Sequence, residues 1–269
     1  MITYSAGCVR SPIKQMVFPG GEVLVQLPQP VDHAERIYVN ASLRGSDDVM
    51  ALLLTVDAIR RQNPYADLIL HLPYVPYARQ DRVCNEGESL SIAVMAQLIN
   101  SCNFDKVRIL DPHSDVTPAL IKNVHITEQS SVFANVHPCW DDIYIVAPDA
   151  GAYKKSYKFA QYVNAAGVIT CNKVREMATG KILGLTCSDD VVNKKLFVLD
   201  DICDGGRTFI EVSALLREKA ASIELGVTHG IFSKGQQVVA ECFDKVYTTN
   251  SFHGEDMVAE VDNIKIIRI

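Results

Sequence analysis

Residues 197–208 read Phe-Val-Leu-Asp-Asp-Ile-Cys-Asp-Gly-Gly-Arg-Thr. An apolar run ends in two adjacent carboxylates, Asp200 and Asp201. A third acid, Asp204, leads into Gly205, Gly206, Arg207 and Thr208, and then into a helical pattern. In an open parallel sheet, ligands bind in the crevice beyond such strand ends. Two glycines let the backbone curl so that its N–H groups converge, and a helix N-terminus favours an anion. Thr208 adds a hydroxyl donor. The acids suit sugar hydroxyls or Mg2+, and the turn suits phosphate. The plainer reading is a strand, a glycine turn and a capped helix whose acids are merely solvated.

Five other segments carry similar chemistry. Pro73-Tyr74-Val75-Pro76-Tyr77-Ala78-Arg79-Gln80-Asp81-Arg82 is a stiffened loop presenting two guanidinium forks, Arg79 and Arg82, with Gln80 and Asp81. Such forks match phosphate geometry; a self-neutralising surface loop is the alternative. In Leu110-Asp111-Pro112-His113-Ser114-Asp115, His113 lies among acids and could meet a metal, a phosphate chain or only a neighbouring carboxylate. Val146-Ala147-Pro148-Asp149-Ala150-Gly151-Ala152 is a second strand ending in an acid and a glycine turn. Lys173 and Arg175 stand two apart on an extended segment, where side chains alternate. They would suit charge developing on a transferring phosphoryl group, or a solvated edge. Phe18-Pro19-Gly20-Gly21-Glu22 is a turn at a strand entry.

Alternating elements must position these residues. Strands are expected at 22–27, 36–39, 67–72, 106–110, 143–147, 168–171, 196–199, 223–227, 245–248 and 264–267. Helices are expected at 48–61, 89–100 and 208–219, with a weaker one at 153–162, from apolar residues at i, i+3, i+4. Ser46 or Asp47 is the expected cap of the first. Strands alternating with such helices imply βαβ units and mainly parallel sheets, and ten strands suit two sheets better than one. The boundary is expected near Val136–Asp141, giving domains 1–137 and 138–269.

Bulk properties agree with an α/β fold of this size. The chain has 269 residues, 48% hydrophobic and 22% charged, with a formal net charge of −6. It carries no basic run, so nucleic acid is not an expected partner. Eight irregularly spaced cysteines without a C-x-x-C pair suit a reduced, cytoplasmic protein. The residues Met1–Arg10 show no signal-peptide pattern. The longest apolar run, Val49–Val56, is too short to span a membrane.

The stretch 200–208 resembles the phosphoribosyl-diphosphate loop shared by type I phosphoribosyltransferases and ribose-phosphate diphosphokinases. Pro73–Arg82 resembles the ATP-binding loop of the diphosphokinases alone. Asp111-x-His113, Pro148-Asp149-x-Gly151, Lys173-x-Arg175, Phe18-x-x-x-Glu22 and Thr228-His229-x-x-Phe232-Ser233 are similar to further segments of that family, in register. The resemblance implies two phosphoribosyltransferase-like domains, each a mainly parallel sheet flanked by helices. It implies ATP on Phe18, Glu22, Arg79, Gln80, Asp81, Arg82 and His113. It implies ribose 5-phosphate on Asp149, Asp200, Asp201, Asp204, Gly205, Gly206, Arg207 and Thr208, and Mg2+ held with His113 and Asp149. Lys173 and Arg175 would be catalytic, at the start of a loop over 176–181. The segment at Phe18 and Glu22 implies a homo-oligomer, a dimer or a hexamer, because in the family it reaches a neighbouring subunit.

Several positions depart from the family pattern, among them Ala147 where the family has a serine. Gly20 replaces an aspartate, Pro112 and Asp115 are unusual, and Arg207 replaces a glycine. Asp32–Glu35 replaces a basic element tied to an anion site, so separate ADP inhibition is not expected. A phosphoribosyltransferase and a catalytically inactive regulatory homologue are the competing readings.

Overall fold

Apolar, β-branched runs separated by amphipathic helices give two parallel-rich sheets. The computed structural model describes residues 1–175 and 182–269, and the side chains of these except 173–175 and 182–185. They fall into two units, Met1–Thr127 with Ser251–Gly254, and Glu128–Asn250 with Glu255–Ile269.

The first unit contains β1 (Ile2–Ala6), β2 (Val9–Pro12), β3 (Lys14–Val17), β4 (Val23–Gln26), β5 (Arg36–Ala41), α1 (Ser46–Gln62), β6 (Asp67–His71), α2 (Ser91–Ser101), β7 (Lys106–Leu110), α3 (Val116–Leu120) and β8 (Val124–Thr127). Its six-stranded sheet has the order β2-β1-β5-β6-β7-β8. β5 to β8 are parallel, while β1 and β2 add antiparallel strands at one edge. β3 and β4 form a separate hairpin. Helix α1 buries Val49, Leu52, Val56 and Ile59, one face at helical spacing. It ends where Asn63 donates its backbone N–H to Ile59 O and is followed by Pro64.

The second unit contains α4 (Gln129–Phe133), β9 (Ile143–Ala147), α5 (Tyr153–Val163), β10 (Gly167–Arg175), β11 (Ile182–Cys187), β12 (Lys195–Cys203), α6 (Arg207–Leu216), β13 (Ser222–Gly230), α7 (Gln237–Ala240), β14 (Lys245–Thr249) and β15 (Ile264–Ile267). Its sheet has the order β11-β10-β9-β12-β13-β14-β15, all parallel except β11. Leu196–Leu199 of central β12 are buried throughout. A parallel strand covered on both faces reads as a continuous apolar run for this reason. Asn164, at φ 57°, ends α5 in the left-handed conformation that asparagine tolerates.

The α/β class and the parallel-rich sheets agree with the sequence pattern. The elements it omits are strands β1–β3, β8 and β11 and the short helices α3, α4 and α7. β3 is exposed at every position, so it shows no alternation of burial. The short helices span only four or five residues, below the length at which periodicity is visible. Helix α1 begins at Ser46 with Gly45 in the capping position. Its first turn is closed instead by Asp48, whose Oδ2 accepts the Arg44 N–H at 2.8 Å. Among the described residues no helix is long and apolar enough to cross a membrane.

Candidate functional site

In the second unit β9 and β12 are parallel neighbours, with Val146 opposite Val198. Their C-terminal ends therefore bring Asp149 and the Asp200–Asp201 pair to one edge of the sheet. Asp201 is buried, and its N–H donates to Asp200 Oδ1 at 2.9 Å. Burial pushes the Asp200 carboxyl well above the usual aspartate range, and the charge on Asp201 adds to this, with a smaller contribution from Asp149. Lys155, on the first turn of α5, donates to Asp201 Oδ2 at 3.3 Å. Gln129 Nε2 holds the strand end, donating to Asp200 O at 2.8 Å and Thr228 Oγ1 at 3.2 Å. Asp149 Oδ1 accepts the N–H groups of Gly151 at 2.9 Å and Ala152 at 3.1 Å, and so starts α5.

The turn after β12 is tied to the residues after β13. Cys203 O accepts Ile231 N–H at 2.8 Å, and Asp204 O accepts Ser233 N–H at 3.2 Å. Gly206 is buried at φ +76°, and a Cβ there would sit 2.7 Å from Val239 Cγ2. Only glycine meets both conditions without strain. It occupies the capping position of α6, and its carbonyl accepts Ile210 N–H at 3.0 Å. Asp204, Gly205 and Thr208 are half-buried around it. Arg207 is exposed, with its Nε 2.8 Å from Glu211 Oε1 one helical turn on. The aliphatic chain of Lys234 passes Gly205, with Cε 3.4 Å from where a Cβ would stand.

Lys173 and Arg175 lie on β10, which extends further than the sequence pattern indicates. Their backbones pair with Leu185 and Ile182, with a register shift between Val174 and Arg175. Their side chains, and the loop expected over 176–181, lie outside the described residues.

In the first unit β6 and β7 are parallel neighbours, and Leu110 N–H donates to Pro73 O at 3.1 Å, joining the two loops that follow them. Tyr77 adopts φ +64°, and its hydroxyl lies 2.9 Å from Ser46 Oγ on α1. Gln80 Oε1 accepts the Ser91 hydroxyl, and Gln80 O accepts Ile92 N–H at 3.4 Å, seating this loop on the start of α2. Arg79 and Arg82 are exposed, and Asp81 Oδ1 is 3.6 Å from Arg82 Nε. Glu88 Oε2 accepts the N–H groups of Cys84 at 2.9 Å and Asn85 at 3.0 Å, shaping the turn beyond Arg82. Asp111 is buried at φ +38°, its N–H bonded to Thr127 O, and the chain then presents an exposed His113. Phe18 and Glu22 close the β3–β4 hairpin through Phe18 N–H to Glu22 O at 2.9 Å, and both are exposed.

Three groups thus emerge from the expected residues. Asp149, Asp200, Asp201 and Asp204–Thr208 share a sheet edge; Arg79–Arg82 and His113 share two joined loops; Phe18 and Glu22 stand on the hairpin. His113 and Asp149 belong to different units. Among the described residues no group of three or more His, Cys, Asp or Glu is placed to hold a metal ion. Sequence reasoning misses Lys155, Gln129, Lys234 and Glu88. Lys234 directly follows the Thr-His-x-x-Phe-Ser segment, which is a usable signal. The partners of Lys155 and Gln129 lie across strand neighbours that the sequence does not reveal.

Residues 1–102 match the family model of the N-terminal domain of ribose phosphate pyrophosphokinase. The chain is 24% identical over 265 residues to a ribose-phosphate pyrophosphokinase of Mycoplasmopsis pulmonis, covering 96% of this chain and 82% of that protein. It is 29% identical over 262 residues to one of Cereibacter sphaeroides, covering 93% and 76% respectively. Its fold matches the crystal structure of phosphoribosylpyrophosphate synthetase from Mycobacterium smegmatis with a TM-score of 0.82 at 24% identity, covering 96% of this chain and 86% of that one. Through the matched N-terminal domain, and through relatives and a fold that each align over most of the chain, the protein is similar to the ribose-phosphate pyrophosphokinases along nearly its whole length.

Proposed function

We propose that the protein is a ribose-phosphate diphosphokinase. It transfers the β,γ-diphosphoryl group of ATP to the C1 hydroxyl of ribose 5-phosphate, giving phosphoribosyl pyrophosphate and AMP. The observation that carries this reading is the edge of the second sheet, where an acid pair at the end of β12 runs straight into the Gly206 turn that opens α6. Acids and a phosphate cradle side by side match a sugar phosphate, hydroxyls on one side and phosphate on the other.

In this reading residues 138–269 hold ribose 5-phosphate. Asp204–Thr208 fix the 5-phosphate, with Lys234 beside them, and Asp149, Asp200 and Asp201 take the ribose hydroxyls. Residues 1–137 hold ATP, through Arg79, Gln80, Asp81, Arg82 and His113. With Gln80 Oε1 already accepting from Ser91, its amide NH2 is the end that would meet the nucleotide. Phe18 and Glu22 serve the ATP site of a neighbouring copy in a homo-oligomer. Lys173 and Arg175 are the catalytic cations for the moving diphosphoryl group. No covalent intermediate is needed, so the residues act by alignment and charge stabilisation.

The acids fit Mg2+. It favours oxygen ligands and is commonly held by one or two carboxylates, the rest of its shell coming from water and substrate phosphates. Besides the effect of burial, Asp201 and to a smaller degree Asp149 put like charge beside Asp200, where a cation is favourable. Asp149 would help hold Mg2+ on the sugar-phosphate side and His113 on the nucleotide side, and Mg2+ when bound offsets charge on the phosphates. We place the enzyme in the cytoplasm.

Phosphorus NMR of the purified protein with Mg-ATP and ribose 5-phosphate tests the proposal. AMP together with a new sugar-linked diphosphate is the expected result. Binding of both ligands without reaction would replace it with an inactive regulatory homologue. Failure to bind ATP would remove the role given to Tyr77–Arg82 and favour a phosphoribosyltransferase.

A further inference from the structure

Cys171 on β10 and Cys187 on β11 face each other across an antiparallel pair, their Sγ atoms 3.8 Å apart. Ser188 N–H donates to Thr170 O at 2.9 Å, so the adjoining 170–188 pair is the hydrogen-bonded one. Cys171 and Cys187 therefore form a non-hydrogen-bonded pair, the kind with Cα atoms about 4.5 Å apart. That separation falls inside the disulfide range of about 4.4–6.8 Å. Cys171 is fully buried, whereas Cys187 is partly open to solvent. An oxidant therefore reaches Cys187 first and finds the second thiol in contact.

We propose that Cys171 and Cys187 are a reversible modification site, forming an intrachain disulfide with a peroxide as oxidant. The Cys187 thiolate attacks a peroxide oxygen, breaking the O–O bond and giving a sulfenic acid and, after protonation, water. The Cys171 sulfur then displaces the sulfenic oxygen as a second water, forming the S–S bond. Two thiols and one hydrogen peroxide thus become one disulfide and two waters. The Cys187 thiol is held below its usual range by the hydrogen bond with Cys171 and then by the Lys219 ammonium, which suits the first step. The bond would pin β10 to β11 two residues before Lys173. It requires nothing of the proposed enzymatic activity.

The test uses the full-length reduced protein, treated with hydrogen peroxide, alkylated with N-ethylmaleimide in denaturant and mapped by mass spectrometry. The expected product is a Cys171–Cys187 linked peptide, with both thiols lost in parallel and both restored by dithiothreitol. In Cys187→Ser, a change at a partly exposed position, Cys171 should stay reduced under the same exposure. The proposal is overturned if both thiols remain alkylatable, if Cys187 passes to sulfinic acid while Cys171 is untouched, or if either links to a different cysteine. Equally fast oxidation of Cys171 in Cys187→Ser would also overturn it.

Discussion

Lys155 Nζ lies 3.3 Å from Asp201 Oδ2, joining the first turn of α5 to the C-terminal end of β12. The lysine is 29% exposed and the aspartate 8%, so the pair is only weakly screened by water. Losing one partner of a fully buried pair costs about 3–5 kcal/mol, and for this partly open one we expect about 1–3 kcal/mol from Lys155→Ala. The KM for ribose 5-phosphate should rise more than that for ATP, and Lys155→Arg should recover most of the loss. Steady-state kinetics beside a thermal melt would check this. Equal rises in both KM values would assign Lys155 a purely structural part.

Gly206→Ala forces a side chain into the left-handed region and against Val239. The backbone term alone is about 1–2 kcal/mol. Val239→Ala in the same chain should relieve the clash but not that term. We expect the single variant to bind ribose 5-phosphate at least ~10-fold more weakly, with the double variant recovering part of the affinity; ~10-fold corresponds to about 1.4 kcal/mol. Calorimetric titration of both variants measures it. Full recovery in the double variant would show that the left-handed backbone costs nothing.

The acid pair and glycine turn were legible because their meaning is local: strand, acids and turn follow one another within 197–208. Lys155 was not, because Asp201 is 46 residues away and meets it only through the pairing of β9 with β12. The Cys171–Cys187 pair required knowing that β11 runs antiparallel on the edge of the sheet. Arg207 is a different case. Glu211 stands four residues on, a spacing that pairs side chains on any helix surface, so this contact could have been read directly.

Asp200 should make the apoprotein less stable as pH rises. A carboxyl raised above its unfolded value of about 3.9 binds a proton more readily when folded. Folding stability then declines as pH climbs from about 4 through the raised folded value. In metal-free buffer Asp200→Asn should therefore melt above the wild type at neutral pH, with the difference shrinking toward pH 4, while diphosphokinase activity falls. Melting curves across that window decide it. A variant that melts lower at neutral pH would contradict the assigned burial of Asp200 and the charge crowding that adds to it.

Lys173→Ala and Arg175→Ala should each lower kcat by ~10²–10³ with little change in either KM, as for loss of a group that acts mainly in the transition state. Circular dichroism and a melt matching the wild type would exclude misfolding. A raised KM with unchanged kcat would instead make these residues ground-state binders.

ADP should inhibit only by competing with ATP. Asp32 and Glu35 are exposed at the turn before β5, where the family resemblance points to a basic anion-binding element. That turn is anchored through Val31 N–H to Gln62 Oε1 at 3.1 Å and through Asn63 Nδ2 to Ala34 O at 2.8 Å. Such anchoring keeps the carboxylates on the surface of the turn. An incoming diphosphate would meet like charge there, and the one cationic candidate within it, His33, lies 3.2 Å from Asp32 Oδ2. Like charges at about 4 Å repel by about 1 kcal/mol even in bulk water, enough to weaken binding several-fold. Initial rates at several fixed ADP concentrations should give lines converging at one maximal velocity. A maximal velocity that falls with ADP would reveal a second nucleotide site, and the carboxylates of this turn would then not be what governs inhibition.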